Sequence, residues 1–212
     1  MIAIIDYGAG NLQSVVKAFE YIGCQVEIVS DAEKLQHAGA AVLPGVGSFG
    51  DAMDCLEKRG FVPAIREFIA SGKPFLGICL GLQMLFDESE ESPGVKGLGI
   101  LRGKVLRIPK REGLKIPHMG WNSLDYHGKR CILFQGLREH PYVYFVHSYY
   151  LLAEDLDIVT ATAEYGTTIH AAIQKGSLFA CQFHPEKSGA EGLQMLRNFA
   201  ALVPGEGKGQ KR

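Results

Sequence analysis

The sequence has almost no net charge and no long apolar run. Its 212 residues contain 22 Lys and Arg against 23 Asp and Glu, and the two signs are interspersed. This balance argues against a protein that binds nucleic acid or an anionic membrane surface. No stretch approaches the roughly 20 apolar residues of a membrane span. The opening MIAIIDYG lacks the basic lead of a signal peptide, so the sequence predicts neither a membrane nor a secretory segment.

Cysteines are few and show no pairing. The five cysteines are an odd number and form no CxxC motif. This argues against a disulfide framework and against a zinc site, and it favours a reducing compartment. We therefore expect a cytoplasmic protein without a metal. Four of the five are interpreted as small core residues: Cys24, Cys55, Cys131 and Cys181.

The N-terminal half alternates short apolar runs with amphipathic segments. The apolar runs predict four strands, at Ile2–Ile5, Val26–Val29, Ala40–Leu43 and Phe75–Ile78. The amphipathic segments predict helices at Leu12–Ile22, Ala52–Lys58 and Val62–Ala70. This alternation indicates an α/β fold of three layers, with a mostly parallel central sheet and helices on both faces.

The C-terminal half is dominated by strands with short turns. We predict strands at Lys104–Ile108, Gly120–Leu124, Tyr142–Tyr150, Ile158–Ala163, Thr168–Gln174 and Leu178–Cys181. Their close spacing suggests antiparallel additions to the sheet. A last helix, Ala190–Leu202, is expected to pack back on them. The sequence predicts one domain over residues 1–203 and a flexible polar tail over residues 204–212.

The segment KPFLGICLGLQMLF, residues 73–86, indicates a nucleophile. An apolar strand ends at Gly77–Gly81 and helical spacing resumes at once, which is the strand–turn–helix context of a nucleophile elbow with Cys79 in the turn. Glycines on either side of Cys79 let the backbone make a tight turn. The N-terminus of the following helix favours a negatively charged thiolate. The Leu80 N–H, next in sequence, is positioned to stabilise an oxyanion. The short GxCxG pattern alone fits a buried structural cysteine equally well.

A second segment indicates a base and its orienting carboxylate. The strand Leu178–Phe183 leads into His184-Pro185-Glu186. On an extended chain, residues two apart point to the same side, so His184 and Glu186 are expected to share one. A cysteine activated by a histidine that a carboxylate orients is the logic of a catalytic triad.

These residues resemble a known family, the class I (triad-type) glutamine amidotransferases. GICLGLQ around Cys79, FHPE around His184, and Leu43–Gly47 at another strand end carry the resemblance. It implies a flavodoxin-like domain that hydrolyses L-glutamine through a thioester on Cys79, with His184 as base, Glu186 as its orienter and no cofactor. It implies oxyanion donors at Val46, Gly47 and Leu80, and glutamine contacts at Gly45, Gln83, Glu91, Ser148 and Tyr149.

Five longer segments are similar to one subfamily, the glutaminase subunits of imidazole glycerol phosphate synthase from histidine biosynthesis. They are DYGAGNLQSV (6–15), PGVGSFGDAM (44–53), PHMGWN (117–122), YFVHSYY (144–150) and HPEKSG (184–189), and the similarity covers residues 1 to 203. It implies a heterodimer in which ammonia passes to a (β/α)8-barrel subunit that forms imidazole glycerol phosphate and aminoimidazole carboxamide ribonucleotide. It also implies interface residues at Asn11, Met119, Trp121, Asn122, Tyr142 and Lys187.

Several alternatives stay open at this stage. The loop Asp6–Asn11 follows the first strand, where flavodoxin-like binding modules cradle phosphate, although it lacks a third glycine at dinucleotide spacing. The same triad would serve a cysteine peptidase, a γ-glutamyl hydrolase, or a glutaminase for vitamin B6, purine or anthranilate synthesis. Glu91 lies in an acidic run that is typical of a solvated helix end, and Trp121 suits a core as well as an interface.

Overall fold

The structure is a computed structural model and describes residues 1–8, 11–126 and 131–203. The tail predicted at residues 204–212, and two residues of the loop Asp6–Asn11, lie outside the described residues. The strands are β1 (Ile2–Ile5), β2 (Val26–Val29), β3 (Ala40–Gly45), β4 (Phe75–Cys79), β5 (Glu88–Ser89), β6 (Gly103–Arg107), β7 (His118–Ser123), β8 (Tyr142–His147), β9 (Tyr149–Ala153), β10 (Val159–Glu164), β11 (Thr168–Lys175) and β12 (Leu178–Cys181). The helices are α1 (Leu12–Tyr21), α2 (Phe49–Lys58), α3 (Phe61–Ala70), α4 (Leu80–Met84) and α5 (Gly189–Ala200).

A seven-stranded sheet forms the centre, in the order β10-β11-β12-β4-β3-β1-β2. The strands β12, β4, β3, β1 and β2 run parallel to one another, and β11 and β10 extend the sheet beyond β12 in antiparallel fashion. The mostly parallel α/β sheet predicted for the N-terminal half is therefore confirmed. It leaves the carboxyl ends of β3, β4 and β12 side by side.

Successive side chains of each strand point to opposite faces of the sheet, so the core lies in two parts. In β1, Ile2 and Ile4 pack with α1 and α5, whereas Ala3 and Ile5 pack with α2 and α3. Parallel strands covered on both faces need apolar residues at every position, which is why these runs show no polar alternation. The expected helices on both faces are present.

The prediction for the C-terminal half is partly wrong. Of the predicted strands there, β10 and β11 join the central sheet in antiparallel fashion, but β12 joins it parallel, beside β4. Strand β6 pairs with β5 and β9, and β7 pairs with β8, in two separate small sheets. The predicted strand Tyr142–Tyr150 is two strands that break at Ser148. An apolar pattern marks an extended segment but does not say which strand becomes its partner.

A close backbone contact sets the position of the short helix α4. A Cβ atom built on Gly81 would lie 1.9 Å from the Leu43 carbonyl oxygen of β3, and one built on Gly77 would lie 2.8 Å from the Gly81 carbonyl oxygen. Both obstacles are backbone atoms that cannot rotate away. Helix α4 therefore packs directly on the ends of β3 and β4, which brings the residues at its start close to the β3 end.

We expect Gly81→Ala to destabilise the fold more than an alanine placed at a merely strained glycine. Overpacking against backbone costs up to about 3 kcal/mol of unfolding free energy. Gly176→Ala is the matched control, because Gly176 has a φ of 60° but open space around its Cα, and its left-handed conformation costs alanine only about 1 kcal/mol. Urea unfolding of both variants checks this. Equal midpoints would show that α4 can move away from β3 at little cost.

Candidate active site

The ends of three adjacent parallel strands form the candidate site. Gly45 of β3 lies beside Cys79 of β4, and Cys181 of β12 lies beside Ile78 on the other side. The residues that leave these strands therefore meet at one sheet edge, where open α/β sheets bind their ligands. The three segments that carried the family resemblance are brought together in this way.

Cys79 occupies the turn between β4 and α4 with a strained backbone. Its φ is 55° and its ψ is −108°, and among the described residues it is the only non-glycine with a positive φ. Such strain in a residue with a side chain is typical of functional positions. The helix begins at the next residue, so the Leu80 N–H has no acceptor within the helix. The predicted strand–turn–helix context is present.

His184 and Glu186 form a buried pair. Nδ1 of His184 and Oε1 of Glu186 are 2.7 Å apart, and the two side chains are only 4% and 2% exposed. The extended geometry predicted between them is wrong: Pro185–Lys187 forms a 3₁₀ turn that starts at His184. Pro185 at the first turn position suits this geometry, because its φ is fixed and it has no N–H to satisfy.

The surroundings of His184 favour its protonated form. Burial by itself would lower the pKa of the imidazole, but interactions with Cys79 and with Glu186 outweigh burial and raise that pKa well above its usual value. With Nδ1 bonded to Glu186, Nε2 is buried and has no hydrogen-bond partner among the described residues. His184 is therefore suited to accept a proton on Nε2 and to hold it.

A cleft of about 340 Å³ opens above the sheet edge. It is lined by Val46, Gly47, Cys79, Leu80, Gln83, Glu91, Pro117, Val146, His147, Ser148, Tyr149, His184 and Lys187. Two of the predicted site residues do not line it. Glu186 lies behind His184, and Gly45 is covered, since a Cβ atom on it would lie 2.8 Å from the Leu80 Cβ. The Gly45 position thus requires a glycine for close packing.

Two predicted glutamine contacts are held by hydrogen bonds. Gln83 is almost fully buried, and its Nε2 donates to the Tyr149 carbonyl and to Gln182 Oε1, each at 3.0 Å. Glu91 accepts a hydrogen bond from the Phe49 N–H at 2.8 Å, at the start of α2. The interpretation of Glu91 as a solvated helix end is wrong, because α4 ends at Met84 and Glu91 follows the short strand β5.

Several buried polar residues of the site were not predicted from the sequence. Gln182 is fully buried, and its Nε2 lies 3.7 Å from the Cys79 sulfur. His118 and His147 are also buried and hydrogen bonded to one another. A signal for Gln182 was present, since a single amide within the apolar run LFACQF needs a buried partner. His118 lies in the segment PHMGWN and His147 in YFVHSYY, but nothing in either segment predicts that the two side chains are in contact.

Three of the six predicted interface residues are on the outward face of the β7–β8 sheet. Met119, Trp121 and Tyr142 are 62%, 56% and 55% exposed, so the core interpretation of Trp121 is wrong. The remaining three have polar surroundings: Asn11 donates to Ser14 Oγ, Asn122 donates to the Glu164 carbonyl, and Lys187 lines the cleft. Large apolar side chains gathered on one exposed face are typical of a protein–protein contact.

Membrane-spanning helices and metal-binding clusters are both absent from the part of the chain that the structure describes. No helix there is long and apolar enough to cross a membrane. Residues 1–8, 11–126 and 131–203 also hold no group of three or more His, Cys, Asp or Glu side chains arranged to bind a metal ion.

Known proteins are similar to this chain over nearly its whole length. The family model "Glutamine amidotransferase class-I" matches residues 3–203. The imidazole glycerol phosphate synthase subunit HisH of Geobacillus kaustophilus is 50% identical, over 99% of this chain and 100% of the relative. The HisH subunit of Thermosynechococcus vestitus is 55% identical, over 95% of this chain and 97% of the relative.

Solved structures share the fold at much lower sequence identity. PurLQS from Thermotoga maritima matches with a TM-score of 0.73 at 20% identity, covering 93% of this chain and 96% of that one. A crystal structure titled glutamine amidotransferase matches with a TM-score of 0.72 at 20% identity, covering 95% and 98%. The chain belongs to the class-I glutamine amidotransferase family.

Proposed function

We propose that the chain is the glutaminase subunit of an imidazole glycerol phosphate synthase. It hydrolyses L-glutamine to glutamate and ammonia and supplies the ammonia to a (β/α)8-barrel synthase subunit in a cytoplasmic heterodimer, with residues 1–203 as the amidotransferase domain. The single observation that carries the chemistry is the buried His184–Glu186 pair beside a cysteine in a strained strand–helix turn. The HisH relatives, about half identical over nearly the whole chain, support the biosynthetic assignment.

The proposed reaction begins at the Cys79 sulfur. Its proton moves to Nε2 of His184, and the thiolate attacks the side-chain carbonyl carbon of glutamine. The tetrahedral intermediate collapses when His184 returns the proton to the departing amide nitrogen. The nitrogen leaves as ammonia, and the acyl group remains on Cys79 as a thioester. Water then attacks the thioester, His184 takes its proton, and glutamate is released with the thiol restored. Glu186 orients the imidazole and stabilises its charged form.

The negative oxygen of each tetrahedral intermediate needs hydrogen-bond donors. The Leu80 N–H is one candidate, because it starts α4 next to Cys79 and has no acceptor in the helix. The peptide between Val46 and Gly47 is the other, since β3 ends beside Cys79 and both residues line the cleft. Gly47 has a φ of 97°, which allows that peptide a turn closed to most residues.

The partner subunit is proposed to bind the outward β7–β8 face. Trp121 and Tyr144 are in edge-to-face contact there, with ring centroids 6.1 Å apart, beside the exposed Met119. Exposed aromatic and methionine side chains of this kind are typical interface anchors. Lys187 and Pro117 line the cleft close to this sheet, so a partner on this face would adjoin the site where ammonia is released.

Replacing the nucleophile should separate the two halves of the overall reaction. In complex with the barrel subunit, Cys79→Ala should lower glutamine-dependent synthesis by at least about 10⁴-fold, because nucleophilic attack is lost. Synthesis from ammonium salts should be unchanged, since it bypasses the glutaminase. Cys24→Ala is the matched control and should alter neither rate. Loss of both activities in Cys79→Ala would instead assign Cys79 a structural role.

The two other members of the triad should differ in severity. His184→Ala should impair thioester formation almost as much as loss of Cys79, whereas Glu186→Gln should be about 10–100-fold less severe, because triad members act unequally. Glutamine retains a hydrogen bond to Nδ1 but not the charge that stabilises the imidazolium. The measurement is the rate at which a glutamine-mimicking electrophile labels Cys79. Labelling of His184→Ala at the wild-type rate would remove His184 from the mechanism.

Turnover of glutamine should depend on the partner. One oxyanion donor raises kcat by about 10²–10³-fold. If the N–H of the 46–47 peptide points away from the cleft in the lone subunit, glutamine hydrolysis should therefore be slow. We expect glutamate release to rise strongly with the barrel subunit and its nucleotide ligand. Gly47→Pro should abolish the rise because it removes the N–H. Gly47→Ala keeps the N–H in open space and should retain part of it. Equal turnover of the wild-type chain with and without the loaded partner contradicts this switch.

A further inference from the structure

Two buried histidines outside the triad are joined in a chain of hydrogen bonds that ends at the cleft. His147 Nδ1 lies 2.9 Å from the Tyr149 carbonyl oxygen, and His147 Nε2 lies 3.0 Å from His118 Nδ1. His118 Nε2 in turn lies 3.4 Å from Asn122 Nδ2. The chain therefore runs from the β7–β8 sheet, which carries the exposed apolar face, to the edge of the glutamine cleft.

The partners at the two ends allow one arrangement of protons. A carbonyl oxygen can only accept, so His147 Nδ1 must carry a hydrogen. At the other end the Asn122 amide nitrogen can only donate, so His118 Nε2 must accept and His118 Nδ1 must carry the hydrogen of that ring. His118 Nδ1 then donates to His147 Nε2. Both rings are neutral in this arrangement. Burial agrees with this, since it lowers the pKa of His118 to about 4 and that of His147 to about 3.

The inner end of the chain fixes the Tyr149 carbonyl from two sides. That oxygen accepts from His147 Nδ1 and also from Gln83 Nε2 at 3.0 Å. Gln83 Nε2 donates its second hydrogen to Gln182, whose own Nε2 lies 3.7 Å from the Cys79 sulfur. If His147 changed tautomer, an acceptor nitrogen would face the carbonyl, and the break between β8 and β9 would be pushed away from Gln83.

We propose that His118 and His147 are positioning residues for the glutaminase reaction. His118 holds the His147 ring in position by donating a hydrogen bond to its Nε2, and His147 holds the Ser148–Tyr149 edge and Gln83 in place to bind glutamine. Neither ring takes part in proton transfer. This inference rests on the proposed function, because it assigns the cleft to glutamine.

Two substitutions of His118 separate its hydrogen bond from its packing. Its ring is stacked between Phe145 and Tyr165, with centroids 4.6 and 3.8 Å away. His118→Phe keeps this stacking and removes the donor to His147. His118→Asn loses the stacking but keeps an amide nitrogen at the position of Nδ1. If His118 has only a structural role, glutamine hydrolysis should be impaired more in the asparagine variant. If His118 is a positioning residue, hydrolysis should be impaired more in the phenylalanine variant.

The experiment is steady-state glutamine hydrolysis by the full chain in complex with the barrel subunit and its nucleotide. His118→Phe should raise KM for glutamine about three- to tenfold, the effect of one hydrogen bond, with kcat changed less than about twofold. His118→Asn should keep KM near the wild-type value even if it unfolds at a lower urea concentration. His140→Phe, at an exposed histidine that bonds the Leu124 carbonyl, controls for the change of residue type.

The ring nitrogens of His147 give a readout independent of activity. Their ¹⁵N chemical shifts should report an Nδ1–H tautomer with a hydrogen-bonded Nε2 in the wild-type chain and in His118→Asn, and a loss of the hydrogen bond at Nε2 in His118→Phe. An unchanged KM and an unchanged Nε2 shift in His118→Phe would overturn the proposal while leaving the glutaminase assignment intact. If the wild-type complex released no glutamate, the proposed function itself would fail, and the tautomer of His147 would still decide whether the histidine pair is ordered as described.

Discussion

The backbone of Cys79 is the constraint on which the site depends. A residue with a side chain is held at a φ of 55° because β4 must end and α4 must begin within one residue. That turn is possible only because Gly77 and Gly81 let α4 rest on the carbonyl of Leu43 and on the chain of β4 itself. The turn places Cys79 in the wall of the cleft at the sheet edge, with the first N–H of the helix next to it. The energy for this comes from the packed sheet below, where β3, β4 and β12 are buried on both faces.

Around this turn the polar groups are arranged in two connected sets. One is the triad, in which burial makes the His184–Glu186 contact strong because few water molecules compete for it. The other is an amide and imidazole network that ties Cys79, Gln182, Gln83 and the Tyr149 carbonyl together. In the proposed reaction the first set transfers protons, and we propose that the second holds the walls of the cleft. Both are buried, so each polar group needs a partner, and this requirement limits the positions that the cleft walls can adopt.

Distant and close relatives share different features with this chain. Solved structures at about 20% identity share the three-layer fold with TM-scores near 0.7, which speaks for the sheet and its helices alone. The HisH relatives are about half identical over nearly the full chain, and this covers the β7–β8 sheet and its exposed apolar face as well. Because Trp121 and Met119 are exposed, the free chain lacks the stabilisation that burial of their apolar area would give. Such a face is readily understood if a partner covers it.

Three features could be predicted from the sequence: the parallel half of the sheet, the strand–turn–helix context of Cys79, and the family. Continuous apolar runs, the glycines around Cys79 and the HPE segment are local signals, because each depends on residues that are neighbours along the chain. The fold as a whole sets the features that depend on residues distant along the chain. It placed β12 beside β4, broke residues 142–150 into two strands in different sheets, and turned Glu186 back to His184 through a 3₁₀ turn. It alone brought Gln182 to the sulfur and His118 to His147, since pairings between buried polar groups are set by which strands pack together and leave no periodic trace in the sequence.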